Sequence, residues 1–264
     1  MKNLIILKIG GSVITDKFSK IPKVKLNNLK RISKEISHVF KQKKSPLVII
    51  HGVGPFGHII VHKTGIDRGI KNTKQLKYFA ETQRLQNELN VIVTKYLIGA
   101  GLPAIPCQAS SFVVMESGRI KKMDSSVIEG LLKINMVPVL FGVPAFDLVQ
   151  KCSILSGDQI APFLATKLNA KRIISATDVD GVCTSDPHIN PKAKLIPRLD
   201  KKNIVNIGKW VTGSTAIDVT GGMLGKVLEL SKTKIESQIL NGLVPGNINK
   251  AFNGEKIGTL IKLK

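Results

Sequence analysis

The sequence predicts an α/β protein built on a mainly parallel sheet. Short runs rich in β-branched residues alternate with longer amphipathic stretches along the chain, the order that βαβ units produce. Several of those runs end at once in glycine, as in Ile9-Gly10-Gly11 and His51-Gly52. That places pliable loops at the carboxyl ends of parallel strands, where such sheets bind ligands.

In order, strands are expected at residues 4–9, 47–50, 104–106, 137–140 and 172–176, with a late edge strand at 259–263. Between the strands, residues 26–40, 73–97, 126–134, 156–168 and 222–236 carry helical patterns. On the 73–97 stretch, Thr82, Leu85, Gln86, Leu89, Val93 and Tyr96 share one face. The polar pair Thr82 and Gln86 suggests that this face lines a cavity, with simple exposure as the alternative. Residues 111–124 interrupt the alternation as a small hairpin. No linker, repeat or low-complexity tract divides the 264 residues, so a single domain is expected, with approximate lobes at 1–155 and 156–264.

Composition narrows the classes. Hydrophobic residues make up 43% and charged ones 22%, a globular balance. No apolar run approaches the roughly 18 residues that span a bilayer, and the apolar start is too short for a signal segment, so a cytoplasmic protein is expected. Cys107, Cys152 and Cys183 are widely spaced without a CxxC pair, which argues against a disulfide framework or a zinc site. The net charge of +22 fits an anionic substrate, nucleic acid or solvated surface lysine. The basic residues are scattered, no nucleic-acid motif accompanies them, and aromatics are only 5%; solvated lysine is the expectation.

Four glycine-bearing junctions carry the chemistry. Lys8-Ile9-Gly10-Gly11-Ser12 closes the first strand. Its glycines let backbone N–H groups approach a phosphate, Ser12 can begin a helix or an anion nest, and Lys8 can reach the same anion. His51-Gly52-Val53-Gly54-Pro55-Phe56-Gly57-His58 follows the second strand and opens a helix, again an anion site. His58 is either an ordinary helix-start residue or a phosphate donor, and His51 reads as structural. Ser156-Gly157-Asp158 precedes a helix, where an aspartate is commonly just a cap. Asp218-Val219-Thr220-Gly221-Gly222 precedes another, with Lys226 one turn in.

Taken together these segments resemble the amino acid kinase family over the whole chain. The opening Lys8 to Lys17, the acidic Thr177-Asp178-Val179-Asp180-Gly181-Val182 and the late Val219-Thr220-Gly221-Gly222-Met223 carry the likeness. Val13-Ile14-Thr15-Asp16-Lys17 and Phe56-Gly57-His58 are most similar to its isopentenyl phosphate kinase branch. The resemblance implies a three-layer αβα sandwich, a homodimer, and ATP with Mg²⁺ carried on its phosphates rather than in a protein metal site. It implies that Lys8 stabilises the transferring phosphoryl group, that Gly10, Gly11, Ser12 and Gly54 line the ATP phosphates, and that Lys17 neutralises charge. His58 would bind the acceptor phosphate with the backbone at Val53 and Gly157, Asp158 would orient the lysines, Asp178 would face the nucleoside, and Gly222 and Lys226 would hold its phosphates. Thr82 and Gln86 are the candidate acceptor-pocket residues.

The implied activity is phosphorylation of isopentenyl phosphate. The rivals are a kinase for another small phosphate, phosphonate or carboxylate, as in fosfomycin kinases, or a non-catalytic nucleotide or nucleic-acid binder. One departure stands out: the family loop usually reads HGGG, and Val53 replaces its second glycine. The expectation is that Val53 keeps a β-region backbone, offers its amide to the acceptor and fills space beside it with its isopropyl group; the alternative is that the side chain points into the core beneath the loop.

Overall fold

A computed structural model describes residues 3–17, 19, 21–210 and 222–263. The Asp218-Val219-Thr220-Gly221 motif and the basic start at Met1 and Lys2 lie outside the described residues.

The strands are β1 (Ile5–Ile9), β2 (Leu47–His51), β3 (Ala104–Pro106), β4 (Val113–Glu116), β5 (Arg119–Met123) and β6 (Val137–Phe141). They continue with β7 (Val143–Asp147), β8 (Lys151–Leu155), β9 (Arg172–Thr177), β10 (Arg198–Leu199), β11 (Ser237–Asn241) and β12 (Thr259–Ile261). The helices are α1 (Gly11–Ile14), α2 (Leu26–Lys43), α3 (Pro55–Thr64), α4 (Lys74–Gly99) and α5 (Ser126–Lys133). After them come α6 (Gly157–Lys167), α7 (Ile207–Trp210), α8 (Gly222–Ser231) and α9 (Asn247–Phe252).

Eight strands form one sheet in the order β10-β12-β11-β9-β1-β2-β6-β3. From β11 to β3 every pairing is parallel, while β12 runs antiparallel to β11. Every residue of β1, β2, β6 and β9 is buried, which is why these runs show no polar alternation. Helices cover both faces. In one layer α2 packs on α4 and α9; in the other α6 packs on α8 and crosses β1, β2 and β9. The sandwich is therefore three-layered, with one apolar core between its layers.

Two expectations needed correction. Residues 259–263 do not form the edge, because β10 pairs outside β12. The helix expected over 222–236 ends at Ser231, and β11 follows it. Gln238 disguised that strand. It is buried, yet its carboxamide donates to the carbonyls of Glu255 and Ile257 and accepts from Arg172, so a polar residue sits in the sheet fully satisfied. The hairpin expected over 111–124 forms as β4 and β5, and it belongs to a second sheet, β5-β4-β7-β8. Pro144 hides β7, since proline argues against a strand; the β4 edge of β7 is paired only at Asp147, so no donor to β4 is missed at Pro144.

Candidate active site

The loops after β1 and β2 interlock at the carboxyl edge of the sheet. The Gly10 amide donates to the Ala176 carbonyl and the Gly52 amide to the Ile9 carbonyl, each at 2.7 Å. A Cβ on Gly52 would stand 2.4 Å from the Gly11 nitrogen, and one on Gly11 would stand 2.7 Å from the Gly54 nitrogen; only glycine permits that approach. Gly54 has φ of +49°, and a Cβ there would strike the Thr15 hydroxyl. Pro55 then opens α3. Among the described residues, nothing accepts from the amides of Gly11, Val53, Gly54 or Gly157. Two of these begin helices, α1 at Gly11 and α6 at Gly157, so the dipoles add to the anion-attracting character of the loops.

Beside them lies a buried lysine–aspartate–lysine triad. Asp158 accepts from Lys8 Nζ at 2.7 and 2.8 Å and from Lys226 Nζ at 2.9 Å, and the two lysines are only 5% and 8% exposed. Ser156 takes the capping role on α6, accepting from the Asp158 amide, so the Asp158 carboxylate is left for the lysines. A Cβ on Gly157 would lie 3.7 Å from Lys8 Cε and 3.2 Å from Ile50, which sets the start of α6 against the end of β2. Burial lowers the Lys8 pKa to about 8, with the Lys226 ammonium pressing the same way against the attraction of Asp158. Burial alone would raise the Asp158 carboxyl, but Lys226 and Lys8 outweigh it and hold it well below the usual range. The triad thus carries two cations and one anion, a net positive charge that a phosphate can neutralise.

A second cluster is tied to the loop after β1 through Ser12. Lys17 Nζ pairs with Asp178 at 2.8 Å and His188 Nε2 stands 3.5 Å from the same carboxylate. Burial would raise the Asp178 pKa, but Lys17 and a hydrogen bond from the Ser12 side chain pull it down to about 2. Lys25 Nζ donates to the Ser12 carbonyl. Neither His188 nor Lys25 was singled out by sequence, and no spacing pointed to either. Gly222, with φ of +57°, starts the helix that carries Lys226.

The acceptor-side residues divide. His58 is half-buried in the first turn of α3, its amide donating to the Gly54 carbonyl at 3.0 Å. Gln86 leans from α4 over Gly57, where a Cβ would stand 2.1 Å from its Nε2, and its Oε1 has no partner among the described residues. Thr82 does not line a cavity. It is fully buried, and its hydroxyl donates to the Tyr78 carbonyl of its own helix. Val53 has no positive φ, in line with a β-region backbone, and its side chain turns inward. It is 6% exposed and packs in the core, its Cγ2 lying 3.0 Å from the place a Gly57 Cβ would take. The apolar depression on the α3–α4 surface, lined by Phe56, Arg84, Asn87, Glu88, Val91 and Ile92, includes none of the site lysines.

The Asp147 carboxylate, missed in the sequence, pins the second sheet. It accepts from the amides of Ser117, Gly118, Val149 and Gln150 and from the Ser153 hydroxyl. The Gly118 carbonyl in turn accepts from Gln159, next to Asp158, and Arg119 makes a two-armed ion pair with Glu229 on α8. The hairpin therefore touches both helices that supply the triad. As to metals, no cluster of three or more His, Cys, Asp or Glu able to hold an ion occurs among the described residues, and Asp158 and Asp178 are both engaged by lysines.

Comparison with known proteins agrees with this geometry. Residues 3–240 match the amino acid kinase family. The chain is 40% identical to an isopentenyl phosphate kinase of Methanothermobacter thermautotrophicus, over 98% of each chain. It is also 40% identical to one from Methanocaldococcus jannaschii, again over 98% of each. A solved isopentenyl phosphate kinase structure superposes with a TM-score of 0.85 at 37% identity, over 98% of this chain and 100% of that one.

Proposed function

We propose that this chain, which belongs to the amino acid kinase family, phosphorylates isopentenyl phosphate with ATP, giving isopentenyl diphosphate and ADP. The observation that carries the reading is the buried Lys8–Asp158–Lys226 triad, net positive, set against loop amides that have no protein acceptor. The near full-length likeness to isopentenyl phosphate kinases supplies the acceptor.

The chemistry suits the cast. A terminal oxygen of the acceptor phosphate attacks the γ-phosphorus as the bond to the β,γ-bridging oxygen breaks. That oxygen is already ionised near neutral pH, so no strong general base is required; the obstacle is repulsion between two anions. We assign Lys8 to the transferring phosphoryl group and Lys226, with the Gly10–Ser12 and Gly54 backbone, to the ATP phosphates. Asp158 holds both lysines in place. His58 and the amides of Val53 and Gly157 take the acceptor phosphate, with Gln86 over the turn that carries His58. Lys17, paired with Asp178, which also bonds Ser12, steadies the glycine loop and adds positive charge. Magnesium would arrive on the ATP phosphates, since this chain's two site carboxylates are spoken for by lysines. Residues 1–155 would then serve mainly the acceptor and 156–264 the nucleotide. A cytoplasmic homodimer is part of the reading, supported by exposed apolar side chains on α4 at Leu76, Tyr78, Val91 and Ile98.

ATP consumption against isopentenyl phosphate, fosfomycin, glutamate and acetylglutamate tests the acceptor; turnover with any but the first sinks the assignment. His58→Ala should lower turnover by roughly 10²-fold, with the melting temperature kept. Near-wild-type kcat and acceptor KM in that variant would remove His58 from the site.

A further inference from the structure

The His51 ring lies behind the acceptor loop, fully buried, and the reaction as described makes no use of it. It stacks on Phe141 with centroids 5.5 Å apart and planes 16° from parallel. Nδ1 lies 3.0 Å from the carbonyl oxygen of Gly52, and Nε2 lies 3.1 Å from the Asn90 carboxamide oxygen. Burial lowers the ring's pKa, so the imidazole is neutral and donates from one nitrogen only. The Gly52 carbonyl is fixed by the backbone, whereas the Asn90 carboxamide can turn end for end. Turning Asn90 gives up only the long 3.5 Å contact of its NH₂ with the Val139 carbonyl, whereas the other tautomer would set a bare Nδ1 against the Gly52 carbonyl oxygen. Nδ1–H therefore donates to Gly52, and the NH₂ of Asn90 donates to Nε2.

This bond fixes more than a carbonyl. No peptide in the described chain is cis, so the Gly52 carbonyl and the Val53 N–H lie in one plane and point in opposite directions. A carbonyl held toward the His51 ring turns the Val53 amide the other way. That amide has no acceptor among the described residues. The adjacent peptide cannot compensate, because the Gly52 amide is already committed to Ile9.

We propose that His51 is a positioning residue for acceptor binding: its Nδ1–H locks the Gly52–Val53 peptide so that the Val53 amide faces the acceptor phosphate. The inference rests on the acceptor side assigned above, and it explains why Val53 is tolerated in a glycine loop. The anion needs the amide, and the amide is oriented from behind by the ring rather than by freedom at φ.

Three variants and two readouts test it. His51→Asn places an amide nitrogen close to the lost Nδ1; His51→Gln reaches toward Asn90 instead; His51→Phe keeps the stack and loses both bonds. His51→Phe and His51→Gln should raise the KM for isopentenyl phosphate about tenfold with the KM for ATP unchanged, and His51→Asn should restore most of the loss. In protein labelled with ¹⁵N-valine, inorganic phosphate should shift the Val53 amide signal in the wild type and in His51→Asn but not in His51→Gln. Equal losses of acceptor and ATP affinity in all three variants would make His51 merely structural and overturn the proposal. So would a Val53 signal that ignores phosphate in the wild type, or a His51→Gln variant that outperforms His51→Asn. Should His51→Phe not fold, the Asn and Gln pair still decides. Because the phosphate titration does not depend on the organic acceptor, a wild type that ignores isopentenyl phosphate defeats the functional reading alone.

Discussion

Two ammonium groups share one carboxylate at Asp158, and that imbalance governs the pH response. Lys8 titrates near 8, so kcat/KM for ATP should fall above about pH 8 as the cation facing the phosphoryl group is lost. Lys226 is one of the groups that depress Lys8. Lys226→Met should therefore move the alkaline limb to higher pH even as the rate drops, and a limb that stays in place would detach Lys8 from it. Val53 behaves differently. Val53→Gly keeps the amide and deletes a buried isopropyl group, so it should cost about 2 kcal/mol of stability and leave the acceptor KM near the wild-type value. A melting curve beside steady-state kinetics checks this; an acceptor KM that moves without a change in melting temperature would return the side chain to the site. The sequence marked Lys8, Asp158 and Lys226 through glycine-flanked junctions and family likeness. It did not show the direction of side chains in a loop or on a buried helix face, which is why Val53 stayed divided between the acceptor's surroundings and the core, and why Thr82 was read as lining a cavity.

At the scale of elements, β1, β2, β6 and β9 were legible because strands buried on both faces are mostly apolar and lack the polar alternation of a half-exposed strand. The strands that escaped notice hide polar or proline residues whose needs are met by tertiary partners: Gln238 in β11, Pro144 and Asp147 in β7. Asp147 organises two turns, so its removal should be felt by the whole second sheet. Its ordinary titration would be raised by burial, but the Ser153 hydroxyl and the Gly118, Gln150 and Val149 amides hold it well below the usual carboxylate range. The folded state thus favours the ionised form. Its contribution is present above the unfolded pKa of about 3.9 and drains away as pH falls through the folded value. Asp147→Asn presents an NH₂ group to a ring of donors and should cost about 3 kcal/mol at neutral pH. The gap in melting temperature between variant and wild type should narrow below about pH 4. A gap constant down to pH 3 would mean that the charge of Asp147 is irrelevant. Because the hairpin also contacts α6 through Gln159 and α8 through Glu229, the acceptor KM should rise in the same variant.

Across the whole molecule, 40 basic residues face 18 acidic ones, and the two kinds of cation are used differently. Arg31, Arg84, Arg119, Arg172 and Arg198 all lie within reach of carboxylates, while among the lysines only Lys8 and Lys226 are buried in the described chain. Most of the excess charge is therefore solvated ammonium. Such charge acts at a distance: it raises the local concentration of anions and speeds their arrival, and it is screened beyond about 8 Å at physiological salt. Both substrates of the proposed reaction are anions, so kcat/KM should decline as KCl is raised, for ATP and for isopentenyl phosphate alike, while kcat changes little. The same field will attract nucleic acid, whose binding by counterion release weakens steeply with salt. A fluorescent duplex titrated alongside the kinetic assay separates steering from recognition. The expected outcome is DNA affinity that vanishes by about 0.2–0.3 M salt without sequence preference, with turnover at saturating substrate intact over the same range. A sequence-selective complex that survives such salt would show that the charge is arranged for a nucleic-acid partner and would revive that class of function.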